Sequence, residues 1–153
     1  MGRYTITRHI AAQPKQVFRA FTAPDMVADW LDASEVRGAT GSLDTTGTRY
    51  TLVIRGPWKF RTQVFRSEPP LLHETVGRAP LGGWYRFVAT LTPREGATDL
   101  DLLTAYTVPL GAVGRWIDRR WIDREPRTQA NREVDRLVEL VTGRSLELAE
   151  PGQ

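Results

Sequence analysis

Few side chains in this sequence could do chemistry, and most of them are neutral. There is no cysteine, which excludes disulfides, thiolate metal sites and a thiol nucleophile together. His9 and His73 are the two imidazoles, far apart along the chain. His73 is the natural base for neutral pH, but its place on a short strand after Pro69-Pro70 predicts an exposed ring. Its neighbour Glu74 must point to the opposite face of that strand, so the two do not form a dyad. No G-x-S-x-G turn, phosphate loop or G-x-G-x-x-G is present, and the glycines of GATGSLDTTG at 38–47 lack both the spacing and the following helix. Neither a metal site nor a cofactor is expected.

Proton chemistry and electrostatic guidance inside an apolar pocket remain, with Arg66, Tyr85 and Tyr106 as the catalytic candidates. Arg66 follows Val64 by two, so regular alternation puts both on one side of a strand and aims Arg66 at the mouth of a pocket. A guanidinium there keeps its charge at any pH and could stabilise an enolate or a carboxylate. The competing reading is a snorkelling side chain, or an ion pair with Glu68 or Glu74. Tyr85 and Tyr106 could donate to a ligand carbonyl or act as weak acids with a pKa of about 10, or could be ordinary core tyrosines. No Asp or Glu falls on the inward sides assigned below, which favours binding over acid-base turnover.

The elements that must position these groups follow from periodicity. Tyr4, Ile6, Arg8 and Ile10 alternate onto one side of a first strand. Pro14 opens a short helix with Val17, Phe18 and Phe21 as its apolar stripe, and a second begins near Pro24 with Met26, Val27, Trp30 and Leu31. After a glycine-punctuated stretch, an antiparallel meander places Tyr50, Leu52 and Ile54 on one side, then Trp58, Phe60, Thr62 and Val64. Pro69-Pro70 stops that run. A short strand from Leu71 to Val76 follows, then Tyr85, Phe87, Ala89 and Leu91, a hairpin at 93–97, and Leu100, Leu102, Thr104 and Tyr106. From about Gly114 to Thr142 the period is helical, with Ile117, Trp121, Val134, Leu137, Val138 and Val141 apolar. That rod would be about 42 Å long. Pro126 predicts a kink or break near Arg124 and Glu125, and Gly143 a C-cap.

With 153 residues, 41% hydrophobic and 25% charged, the chain has the composition of one globular domain. Net charge is +3, but acidic residues are interspersed among the arginines of the terminal helix and no stacking motif accompanies them, so nucleic acid is not expected as a partner. No apolar run is long enough for a signal segment or a membrane span, which predicts a cytoplasmic protein, monomeric or homodimeric.

The segments IAAQPKQVFRAFTAPDMVADWL at 10–31, VFRSEPPLL at 64–72 and FVATLTPREGATDLDLLTAY at 87–106 are similar to those of a known superfamily. The chain resembles the START-like, or SRPBCC, superfamily, nearest its polyketide cyclase/dehydrase group. The resemblance implies an α+β helix-grip fold over residues 1–143, with 144–153 as a tail. About six to seven antiparallel strands would curve around the long C-terminal helix. It also implies a deep cavity for an apolar or aromatic molecule, and members range from polyketide aromatase/cyclases to lipid or quinone carriers and chaperone partners. Arg66 occupies a position similar to that of an arginine with which the cyclases anchor their polyketone. Read onto these faces, Trp30, Tyr50, Trp58, Phe60, Phe87, Leu102, Ile117 and Trp121 would line the cavity. The expectation is a pocket protein for a hydrophobic or aromatic small molecule, as a cofactor-free cyclase/dehydrase or a lipid- or quinone-type carrier. The alternative is an interaction module whose aromatics simply fill the core.

Overall fold

The computed structural model describes residues 2–31, 33–54, 58–79, 82–107 and 126–149, with the side chains at 34, 58, 126 and 144–149 outside the description. Strand β1 (Gly2–Ile10) leads into helices α1 (Pro14–Thr22) and α2 (Pro24–Trp30). Six strands follow: β2 (Ala33–Arg37), β3 (Arg49–Ile54), β4 (Trp58–Glu68), β5 (Leu72–Arg78), β6 (Trp84–Arg94) and β7 (Ala97–Thr107). Helix α3 (Pro126–Ala149) comes last. The seven strands make one sheet in the order β1-β7-β6-β5-β4-β3-β2, with every pairing antiparallel. This is the expected α+β helix-grip architecture.

The local reasons are visible in the residues. Proline opens both short helices, where a missing N–H costs nothing. At α1 the Gln13 N–H also donates to Gln16 Oε1 at 3.2 Å. The β6–β7 hairpin turns on two residues, Glu95 at φ +47° and Gly96 at φ +83°. Paired positive φ values suit the right-handed twist of the flanking strands, so β6 runs two residues further and β7 starts one residue earlier than a hairpin at 93–97 would allow. β4 ends at Glu68, immediately before the proline pair.

Two expectations about the elements change. β2 was not foreseen, because ASEVR is short and largely polar and is defined by its pairing with β3. The described part of helix α3 runs from Pro126 through Gly143 to Ala149, so Gly143 is not its cap. The segment 114–125, with its tandem RWIDR, lies outside the described residues.

Ala130, Val134, Leu137 and Val141 are the buried face of α3, spaced by three or four. They join Ile6, Ile10, Phe18, Phe21, Leu91 and Leu100 in the main core. Arg8 reaches from β1 to α3, donating to Asn131 Oδ1 at 2.7 Å, and Arg136 of α3 lies 3.4 Å from Asp29 of α2. Among the described residues no helix is long and apolar enough to cross a membrane.

Candidate functional site

Between the concave face of the sheet and helices α2 and α3 lies a cavity of about 430 Å³, within the range of small-molecule sites. The cross-strand register explains its chemistry. One row of facing residues runs Gly2, Tyr106, Tyr85, Gly77, Thr62, Tyr50 across six neighbouring strands. The next row runs Tyr4, Thr104, Phe87, Thr75, Val64. Alternation sends both rows to the same face, so hydroxyl groups are concentrated in one band of an otherwise apolar wall.

The two glycines in the first row are what allow the tyrosines beside them to lie flat. A Cβ on Gly77 would sit 2.4 Å from Tyr85 Cε1, and one on Gly2 would sit 2.2 Å from Tyr106 Cζ. Each ring is therefore laid across the strand next to its own. From there the Tyr85 hydroxyl bonds to Thr62 Oγ1 on the strand beyond Gly77, and the Phe60 ring meets Tyr85 edge-on at 6.0 Å.

Burial keeps the phenols protonated. It pushes Tyr85 up to about 12, against the opposing hydrogen bond from Thr62, and raises Tyr50, with the Tyr85 phenol adding to the effect. Burial also raises Tyr4, opposed by its hydrogen bond with Thr104 and reinforced by the charge of Glu133. These groups are hydrogen-bond donors at neutral pH, able to polarise a carbonyl but not to act as bases.

Trp30, Tyr50, Phe60, Tyr85, Phe87, Leu102 and Tyr106, all anticipated from the sequence, line the cavity together. Trp30 is pinned by its Nε1–H, which donates to the Ala20 carbonyl at 2.7 Å, and its ring meets Phe21 and Phe87. Trp58 belongs to β4, but its side chain lies outside the described residues, as do Ile117 and Trp121 entirely.

Arg66 is a correction. The register of β4 against β5 shifts between Val64 and Arg66, a bulge that exchanges the faces beyond it. Arg66 then pairs across the strands with Glu74 on the outer face, its side chain 58% exposed and bonded to Glu68 Oε1 at 2.9 Å. Arg66 does not line the cavity.

The same bulge brings Ser67 beside His73, whose buried ring overturns the expectation of an exposed one. His73 is 2% exposed and forms part of the cavity wall. Its Nδ1 lies 3.3 Å from Ser67 Oγ, and its ring meets Phe18 edge-on. Burial lowers its pKa to about 4, only partly opposed by the charge of Asp44, so the imidazole is neutral. Glu74 points the other way, as expected, and is buried under Arg86, which donates to it at 2.5 Å.

The expectation of no inward acid also changes, because Glu133 lines the cavity from α3, with Gln129 one turn before it donating at 3.3 Å. Glu133 immediately precedes Val134 of the buried stripe, on the flank of the helix, and the packing of α3 against the sheet is what turns it toward the cavity.

The fold and the family agree. A Mesorhizobium loti protein, MLL2253, superposes with a TM-score of 0.73 at 17% identity, over 92% of this chain and 97% of that one. A Rhodobacter sphaeroides protein gives 0.65 at 21% identity, covering 92% of each chain. DynU16, a protein in the dynemicin biosynthetic locus, gives 0.60 at 21% identity over 97% of this chain, which spans only 48% of DynU16. No curated protein matches the chain in sequence. The model of the polyketide cyclase/dehydrase and lipid transport family matches residues 1–142. The chain belongs to that family.

Proposed function

We propose that this protein holds a hydrophobic or aromatic small molecule in the cavity between sheet and α3, presenting it to a band of protonated phenols, and that it acts as a carrier or sequestering protein in preference to a catalyst. The observation that carries this reading is the cavity of about 430 Å³ that the described aromatic side chains line and leave unfilled. An interaction module that used only its outer surfaces would gain by closing such a void, because lost packing costs stability. Preference for binding over turnover rests on the protonation states. With Tyr85 raised to about 12 and Arg66 on the outer face, the described wall offers neutral donors, the acid Glu133 on α3 and no fixed cation to hold an enolate. If turnover occurs, the phenols would polarise a ligand carbonyl toward a dehydrative cyclisation.

The test uses three probes of different class: 2-methylnaphthalene, menadione and palmitate. At least one should raise the melting temperature, since a ligand at a hundred times its Kd stabilises by about 2.7 kcal/mol. The same probe should change Trp fluorescence in the parent, and the change should shrink in Trp30→Phe, because Trp30 lines the cavity. If no probe shifts melting or fluorescence, and no small molecule co-purifies in native mass spectrometry, the binding reading fails.

A further inference from the structure

The Nε2 atom of His73 is buried and has no hydrogen-bond partner, the single such side-chain atom among the described residues. Buried polar groups are nearly always satisfied, because an unpaired one forfeits its hydration without compensation. Its other ring nitrogen is engaged by Ser67, and the nearest ring, Phe18, is apolar. His73 nonetheless stands in the wall of the cavity, opposite Ala89 on β6, in the apolar row that continues to Leu102 and Ile6; Nε2 itself is closed to water, so a ligand reaches it only by displacing the side chains that cover it. Gly77 and the phenol band lie four residues further along β5, about 13 Å at the rise of a strand.

We propose that His73 Nε2 is the polar anchor for the ligand, and that it recognises a hydroxyl group carried at one end of an aromatic or otherwise apolar body. This rests on the reading of the cavity as a binding site. The choice of a hydroxyl follows from the imidazole itself. If the Ser67 hydroxyl donates to Nδ1, Nε2 carries the proton and must find an acceptor. If Nδ1–H donates to Ser67 Oγ, Nε2 is bare and must find a donor. A hydroxyl satisfies either tautomer, whereas a carbonyl satisfies only the first and an ammonium only the second. Burial holds the ring neutral, so a carboxylate gains no ion pair from it.

The experiment compares 2-naphthol with 2-methylnaphthalene, nearly the same shape with and without the hydroxyl. The parent should bind 2-naphthol about tenfold more tightly, the value of one hydrogen bond regained by a buried group. In His73→Phe the two compounds should bind within about twofold of each other, while Arg66→Ala, on the outer face, should keep the preference.

A second measurement needs no variant. With two histidines in the chain, and His9 exposed beside Asp99, the imidazole nitrogens of His73 can be assigned by NMR in labelled parent protein. Binding of 2-naphthol should shift Nε2, and 2-methylnaphthalene should leave it nearly unmoved. A hydroxyl preference that persists in His73→Phe, or naphthol binding that leaves the His73 nitrogens unshifted, overturns the anchor. Binding of neither naphthalene overturns the anchor, and the cavity reading falls with it only when menadione and palmitate also fail to bind and nothing co-purifies.

Discussion

Gly77→Ala is the sharpest test of how the phenol band is built. The added methyl would lie 2.4 Å from Tyr85 Cε1 and 2.7 Å from the Arg61 carbonyl oxygen. Carbon atoms rest at about 3.5–4.0 Å, so the Tyr85 ring must withdraw by about 1 Å. The Arg61 oxygen is backbone in the adjacent strand, so relief there requires the strands themselves to part. Overpacking of this kind costs about 1–3 kcal/mol. The reduced freedom of the unfolded chain returns about 0.4–1 kcal/mol, since a strand conformation suits alanine. The net loss is then about 1–2 kcal/mol, which for a chain of this length lowers the melting temperature by about 2–8 °C. The displaced ring also pulls its hydroxyl off Thr62 and intrudes on the cavity, so binding of whichever naphthalene the parent holds should weaken. Thermal unfolding of Gly77→Ala, Tyr85→Leu and the double variant measures the effect. In the Tyr85→Leu background the alanine should cost at least about 0.5 kcal/mol less, the coupling expected of touching residues. A Gly77→Ala protein that melts and binds like the parent would refute the claim that this glycine seats the ring.

Arg66→Ala should leave naphthalene binding within about twofold and stability within about 0.5 kcal/mol, because its partner Glu68 is as exposed as Arg66 itself. A large loss of affinity would return Arg66 to the site. Arg86→Ala should cost more, on the order of 2 kcal/mol in chemical denaturation, because it strips the buried Glu74 carboxylate of its donor; Glu74→Gln in the same background should recover part of the loss. His73 imposes a pH dependence. Its folded pKa of about 4 lies below the unfolded value of 6.5, so the unfolded chain binds the proton first as pH falls. The stability that His73 contributes is complete above about pH 6.5 and is lost progressively toward pH 4, on the order of 3 kcal/mol in total. Denaturation midpoints measured across that window should show a slope in the parent that flattens in His73→Phe; equal slopes would show that other groups carry it.

Much of this protein is legible in local pattern alone. Period-two alternation identifies the inner faces of β1, β3, β6 and β7, and proline at the first helical position locates α1 and α2, because both signals depend only on neighbours in the chain. That is why the sequence places Trp30, Tyr50, Phe60, Tyr85, Phe87, Leu102 and Tyr106 on inward sides, which the family resemblance joins into one lining. What tertiary structure decided turns on a single residue of register. The bulge after Val64 exchanges Arg66 for Ser67 on the inner face. It removes the only cation expected there and supplies the partner that holds His73 in the wall. A bulge is set by how two strands distant in sequence pair, and alternation read along one strand is blind to it. Glu133 and the seats provided by Gly2 and Gly77 are of the same kind. An acid on a helix flank, and a missing Cβ opposite a tyrosine, acquire meaning only when another element is brought against them.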